Sequence, residues 1–436
     1  MGQKYHFIGI KGSGMSALAT ILHDLGHAIQ GSDIPDILFT QKGLEERQIP
    51  LYKFLEAPIT KDMIVVVGNA YKTHEEVEKA KEAEATCISY HECLGRLIQP
   101  FTSVAISGTH GKTTTTGLLK SVLSQAFKTT HLIGDGSGEA QADSTHFIFE
   151  ACEYQRHFLS YYPNYTIITN IEHDHPDYFK DLDDVLDAFY RFALQTGKQI
   201  IACGDDHAVL KLNQKTPLML YGLKGRNHVQ GRITSQTSEG TTFDVFIKEE
   251  YFGTFKTPFF GEHMVLNSLA VITVGYLEGM TAEQIEAGLQ SFGGVARRFN
   301  EQIVGSQILI DDYAHHPTEI TVTLKAVRQK YPNRPCFAIF QPHTFTRTKA
   351  FLGEFAEALN LADQVYLTDI FGSAREQQGE TSIQSLIDRC DRATHLKLED
   401  VSRLAKEPQA VLVFMGAGDI QKYEKQYLDD LKQWQH

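Results

Sequence analysis

The stretch Gly108-Thr109-His110-Gly111-Lys112-Thr113-Thr114-Thr115-Thr116 limits what this chain can fold into more than any other. An apolar run, Ser103 to Ser107, leads into it, and Leu118, Leu119, Val122 and Leu123 follow at helical spacing. The order is strand, glycine loop, helix. Two glycines let backbone N–H groups turn inward and close on phosphate oxygens. The helix that follows aims its positive end at the same point. Lys112 is placed to bridge outer phosphates, and the Thr113 hydroxyl to hold Mg²⁺. The loop is shortened, because Ile106 stands where the usual pattern has its first glycine. A glycine-rich helix start with a solvated lysine is the plain alternative. It does not require strand, loop, Lys-Thr pair and helix to agree, and here they do. The loop is therefore expected to cradle a nucleotide's phosphates.

Composition narrows the partners. A length of 436 residues leaves room for about three domains. The net charge of −13 disfavours nucleic acid or an anionic membrane as the main partner, although a local nest of N–H groups holds phosphate against that sign. Cys87, Cys93, Cys152, Cys203, Cys336 and Cys390 are scattered, with no Cys-x-x-Cys pair. They read as reduced thiols, not as a disulfide framework or a zinc site, so a cytoplasmic protein is expected. No apolar run reaches membrane-spanning length. The first residues lack a signal-peptide pattern, and His6 breaks the myristoylation pattern.

Residues 5–10 read as a buried strand, followed by Gly12-Ser13-Gly14-Met15 and a helix with Leu18, Ile21, Leu22 and Leu25 on one face. A short second strand, Ala28 to Gly31, ends at Ser32-Asp33. Taken literally this is a dinucleotide fingerprint, and alone it suggests an NAD-dependent enzyme. Such a loop binds any pyrophosphate, and nicotinamide needs a second βαβ half. Here one strand at Met63 to Val67, a charged helix at Glu75 to Ala85 and a strand at Cys87 to Ser89 come before the phosphate loop. Residues 1–98 therefore read as a small Rossmann-like domain holding a pyrophosphate that is not NAD.

The second unit, 99–296, carries the phosphate loop. Strand Phe147 to Glu150 ends in a carboxylate, with Glu153 three residues later. Strand Tyr165 to Thr169 runs into Asn170 and then Glu172-His173-Asp174-His175. Metal ligands collect at such strand ends, so Glu150 and His175 join Thr113 as candidates, while His173 is expected to face solvent. Residues 228–256 turn β-rich and predict an antiparallel flap at the domain edge. A helix opens at Gly261 and runs to about Glu278, and a second begins near Thr281, an N-cap with Gln284 three residues on. Asn267 is a candidate for an adenine edge.

Phe292 to Val295 reads as a linker, and Arg297-Arg298 beyond it can reach a phosphate across a closing cleft. In the third unit, 297–436, four strands each end in a polar cluster, at Asp311 to Pro317, Gln341 to Arg347, Asp369 to Glu376 and Gly416 to Asp419. Four clusters on one rim point to an open α/β sheet with its site along that rim.

These blocks resemble the Mur ligase family. The motifs that carry the likeness are Gly9 to Met15, Gly108 to Thr116, Glu150 to Phe158, Thr169 to His175, Arg297 to Phe299, Asp311 to Glu319, Gln341 to Thr348 and Met415 to Ile420. They span almost the whole chain in the family's order. The resemblance implies a three-domain α/β fold, each domain with a largely parallel sheet: a Rossmann-like UDP-sugar domain, a P-loop ATPase with an antiparallel flap and a Rossmann-like amino-acid domain. It implies the branch that joins L-alanine to the lactyl carboxylate of UDP-N-acetylmuramic acid through an acyl phosphate, with ATP as co-substrate and Mg²⁺ as cofactor. That step belongs to peptidoglycan precursor synthesis, and through it to cell shape and division. A monomer or homodimer is expected.

By resemblance, Lys112, Glu150, His175 and Arg298 are catalytic. Thr113 and Glu150 hold one Mg²⁺, and His175 serves a second metal. Gly108, Thr109, His110, Gly111, Thr114, Asn267, Arg298 and Asp312 bind ATP. Gly12, Ser13, Gly14, Met15, Asp33, His343 and Arg375 bind the other substrates. Three departures stand out. Met264 replaces an asparagine of the adenine motif, Cys152 and Tyr154 alter the acidic run around Glu153 and leave its role open, and Phe345 stands where some members carry tyrosine. The carbamylated lysine of sister ligases has no match near His175. The nearest rival is the family's ligase for a recycled tripeptide, against which Gln341-Pro342-His343 argues. A dehydrogenase and a nucleotide-sugar sensor with a dead ATPase are the rivals from other classes.

Overall fold

The computed structural model describes residues 2–38, 40–213, 217–372, 376 and 378–434. They form three domains, each built on a largely parallel sheet. In the first, the strands lie in the order Leu51–Lys53, Ala28–Asp33, Lys4–Ile8, Met63–Val67, Thr86–Ser89, all parallel. The winding reverses between Lys4–Ile8 and Met63–Val67, which opens a crevice at their carboxyl ends. The glycine loop after Ile8 lies there. Helix Ser13–Asp24 buries Leu18, Ile21 and Leu22 completely. Each such side chain contributes roughly 1.5–3 kcal/mol.

The central sheet has ten strands. Seven run parallel, in the order Val229–Thr237, Met219–Gly222, Gln199–Cys203, Tyr165–Ile168, Thr102–Ser107, His146–Glu150, Thr129–Leu132. The predicted flap is present at one edge, where Gly240–Ile247 and Glu250–Thr257 add antiparallel. A second antiparallel pair, unpredicted because its strands are so short, closes the other edge: Thr129–Leu132 with Gly138–Ala140. This strand lies on helix Ser13–Asp24. Thr20 Oγ1 donates to the Gly138 carbonyl at 2.9 Å, and a Cβ on Gly138 would stand 2.4 Å from the Ala17 carbonyl oxygen. The first two domains are joined through this contact.

The third sheet runs Asn300–Val304, Gln307–Asp312, Val411–Met415, Cys336–Phe340, Gln364–Leu367, Ala393–His395. Its first pair is antiparallel and the rest parallel, so the expected polar clusters do share one rim. Helix Pro317–Lys330 starts from a capping box of His316 and Glu319, and helix Ala282–Ser291 from one of Thr281 and Gln284. Among the described residues no helix is long and apolar enough to cross a membrane.

Candidate active site

Strand Thr102–Ser107 delivers the phosphate loop and helix Lys112–Leu123 carries it away. Both glycines are required. Gly111 caps the helix at φ +82°, and at Gly108, with φ +134°, a Cβ would meet Thr169 Oγ1 at 2.0 Å. The neighbouring strand end holds the loop from below. Asn170 Oδ1 accepts the His110 N–H at 2.8 Å, and Thr169 Oγ1 donates to the His110 carbonyl at 2.6 Å. Lys112 folds back over its own loop, donating to the carbonyls of Gly108 and Thr109, and pairs with Glu153 at 3.1 Å. Burial opposes the ammonium charge, but Glu153, with Cys152 and Glu150 beyond, holds the Lys112 pKa above its usual range. Glu153, whose role the sequence left open, is buried between Lys112 and His175, 3.6 Å from the His175 Nε2.

Burial raises the Glu150 carboxyl, against the Gly134 N–H at 2.5 Å, Lys112 and a hydrogen bond from Thr113. A carboxylate strained in this way beside a hydroxyl is a hard oxygen pair that suits Mg²⁺, so Thr113 and Glu150 fit one ion. His175 lies 3.6 Å from Glu153, and its imidazole nitrogen is not the hard oxygen ligand that Mg²⁺ prefers. Burial lowers its pKa, which favours the neutral ring that a metal needs. The left-handed backbone of His175, φ +54°, is fixed by Asp174, whose Oδ1 accepts the His175 N–H at 2.7 Å. Asp174 is itself buried against Arg347 of the third domain, 2.8 Å away. Burial opposes its charge, but Arg347 keeps the carboxyl well below the usual range. His173 departs from expectation: it is half-buried, with its Nε2 3.1 Å from the Phe179 carbonyl, because the chain turns back over it.

A cavity of about 260 Å³ opens between helix Glu262–Leu277 and helix Pro317–Lys330. Phe259, Met264 and Val295 give it apolar walls, and Asn267, Arg298 and Asp312 its polar points. Met264 turns into this space, with its sulfur 3.9 Å from Asn267 Nδ2, so an apolar face stands where the family motif has an amide. Asp312 accepts the N–H groups of Ala314 at 2.8 Å and Phe299 at 2.9 Å. Burial lifts its carboxyl to about 6 in spite of Arg298. The basic pair divides: Arg298 faces the cavity, 3.5 Å from Glu319, while Arg297 donates to the Gly416 carbonyl at 2.7 Å.

His110 joins the loop to the third domain. Its ring lies 3.4 Å from Glu172 and 3.4 Å from Glu319, and though burial opposes its charge the two carboxylates raise it to about 9. Thr318 donates to Glu172 at 2.8 Å, and His316 Nδ1 is 3.6 Å from the same carboxylate. The ligating atoms of His110, Glu172 and His316 lie within 4.8 Å of one another. With Thr318 and a cationic His110 already on Glu172, this is an ion-pair network across two domains. Glu172 and Arg347 have no signal in the sequence because their partners are remote, 146 residues apart for Thr318–Glu172 and 173 for Arg347–Asp174.

A second cavity, about 560 Å³, is lined by His175, Tyr313, His315, His343, Arg347 and Glu376. His343 and His175 both line it. Arg375 lies outside the described residues. Gly12, Ser13, Gly14, Met15 and Asp33 line neither cavity and form a separate station. Gly12 caps its helix without a side chain, which leaves first-turn N–H groups without a side-chain partner. Asp33 shapes that loop, accepting the N–H groups of Lys11 at 2.6 Å and Ile34 at 2.8 Å.

A phosphate loop with Lys-Thr, strand-end carboxylates beside it and a third domain closing over an adjoining cavity define an ATP-dependent ligase architecture. Three domain models of one family cover nearly the whole chain: the Mur ligase family catalytic domain over residues 4–102, the Mur ligase middle domain over 106–275 and the Mur ligase glutamate ligase domain over 297–418. The chain belongs to the Mur ligase family, whose members are ATP-dependent ligases of peptidoglycan synthesis. It is similar to the UDP-N-acetylmuramate–alanine ligase of Thermotoga maritima, with a TM-score of 0.78 and 26% identity over 99% of both chains. A murein peptide ligase from Psychrobacter arcticus shares the fold at TM-score 0.69 and 24% identity over 98% of both chains. So does MurF from Acinetobacter baumannii, at 0.68 and 15% over 89% of this chain and 98% of that one.

Proposed function

We propose that this protein joins L-alanine to the lactyl carboxylate of UDP-N-acetylmuramic acid in the cytoplasm, using ATP and Mg²⁺. The observation that carries the reading is the meeting of His175 and His343 in one cavity at the joint between the ATPase loop and the third domain's rim. In this reading residues 1–98 bind the UDP-sugar at Gly12 to Met15, residues 99–296 bind ATP, and residues 297–436 bring the amino acid to His343 and Arg375. Asn267 and Asp312 hold the nucleoside. A carboxylate at neutral pH is a poor electrophile, and phosphorylation supplies a leaving group. Lys112 leaves Glu153 for the triphosphate, and Arg298 leaves Glu319, so that both meet the charge building on the transferred phosphoryl group. Bound Mg²⁺, held by Thr113 and Glu150, supplies further charge neutralisation.

The alternative acceptor is a recycled tripeptide on the same nucleotide sugar, favoured by the likeness to a murein peptide ligase. Gln341-Pro342-His343 supports free alanine instead: Gln341 Nε2 donates to Asp419 at 2.8 Å and draws this rim together beside His343. A competition assay of ADP release decides. Release that depends on L-alanine is expected; release that depends on tripeptide and ignores L-alanine overturns the reading.

A further inference from the structure

The acceptor amine reaches a ligase as an ammonium ion, which has no lone pair and cannot attack. A base must take one proton inside the acceptor cavity. His315 stands on its wall, at the joint between strand Gln307–Asp312 and helix Pro317–Lys330. Its Nδ1 lies 3.0 Å from the Tyr313 carbonyl and 3.1 Å from Glu319 Oε2. Both neighbours only accept, so the Nδ1 carries the hydrogen and, in the neutral ring, the lone pair is on Nε2. Glu319 also accepts the backbone N–H groups of His315 at 3.0 Å and His316 at 3.3 Å, which fixes the segment as well as the ring. A base oriented by a carboxylate is the arrangement general-base chemistry requires.

The other basic groups around the cavity are engaged. Asp174 is held by Arg347, and Asp177 accepts the Tyr154 hydroxyl at 2.8 Å. Glu376 accepts the Thr346 hydroxyl at 2.6 Å and its N–H at 3.0 Å. Tyr313 lies under the guanidinium groups of Arg297 and Arg298. His175 is given to a metal in the ligase reading. His343, whose ring is 6.2 Å from that of His315, is the remaining competitor.

We propose that His315, oriented by Glu319 and the Tyr313 carbonyl, is the catalytic base that deprotonates the acceptor ammonium. The inference rests on the ligase reading. An ammonium N–H bond breaks and its proton goes to His315 Nε2. The freed lone pair forms the C–N bond at the acyl carbon of the acyl phosphate. The tetrahedral adduct then breaks its C–O bond to phosphate, which leaves with the second ammonium proton as hydrogen phosphate. His315 returns its proton to solvent.

Hydroxylamine tests this, because it is largely unprotonated at neutral pH and traps acyl phosphates as hydroxamates without a base. His315→Asn should lower amide formation with L-alanine about 10²–10⁴-fold and leave hydroxamate formation from ATP and UDP-N-acetylmuramic acid within about threefold of the parent. His315→Gln, which keeps a polar atom near the Nε2 position, should show the same split and serves if the first variant fails to fold. Equal losses of both products, or no loss of either, overturn the assignment. So does the same split in His343→Asn with His315→Asn unaffected. If the unaltered protein forms no hydroxamate, the ligase reading itself has failed and not the base assignment.

Discussion

The chain contains two glycine loops of nearly the same construction, set in different surroundings. Each follows a parallel strand and opens a helix of twelve residues, Ser13–Asp24 and Lys112–Leu123, with glycine at the N-cap and no side-chain cap. Each thus presents helix N–H groups to an anion. Around the first, the side chains are structural: Asp33 ties down Lys11 and Ile34, and Tyr71 packs over Gly9. Around the second, Lys112, Glu153, Glu150 and Thr113 converge. The backbone offers uncapped N–H groups in both places. The second loop adds a lysine paired with a buried carboxylate, whereas Lys11 of the first is bound to the carbonyls of Ile34 and Asp36.

Replacing Lys112 should break the contrast most completely. Lys112→Ala is expected to lower ADP release by about 10³-fold while calorimetry finds UDP-sugar affinity unchanged. Loss of both would mean that the two loops are not separate stations. Arg298→Ala should lower turnover by roughly 10–100-fold, with little change in sugar affinity, because its guanidinium faces the cavity proposed for the nucleotide. Steady-state kinetics against each substrate checks this, and unchanged turnover removes Arg298 from the site. On the other loop, Gly9→Ala forces a side chain into φ +82° and to 2.4 Å from the Tyr71 ring. A cost of about 1–3 kcal/mol is expected in UDP-sugar affinity or domain stability, with the ATP KM unmoved.

The smallest effect is on stability and concerns the cost of the second site. Asp312 titrates at about 6 in the fold against 3.8 when free. The folded state therefore binds its proton more tightly. This contribution to stability is complete below about 3.8 and is lost as pH rises through about 6. Asp312→Asn should then be more stable than the parent by about 1–3 kcal/mol at pH 8 and near equal at pH 3.5, while ATP binding weakens. Denaturant titrations at the two pH values measure it; a variant less stable at pH 8 would show that the charged carboxylate holds the fold together.

Much of the molecule could be read along the chain because its signals are short-range. Strand Met63–Val67 is delimited to the residue, since an apolar run closed by polar residues marks a buried parallel strand. The edge strands Leu51–Lys53, Gly138–Ala140 and Asn300–Val304 were not, being short or mixed in polarity. The site divides in the same way. Lys112, Thr113 and Glu150 announce themselves by position after a strand. Glu153 did not, because its value lies in standing between Lys112 and His175.

The amino-acid sequence by itself determined the three alternating α/β units, both glycine loops and the rim of polar strand ends, because backbone propensity and hydrophobic period act over a few residues. Only the tertiary structure decided which charges neutralise which: Arg347 on Asp174, Glu319 between His110 and Arg298, Glu153 between the loop lysine and His175. Electrostatic partners are chosen by proximity in a partly dry interior, and proximity across domains leaves no local trace in the chain.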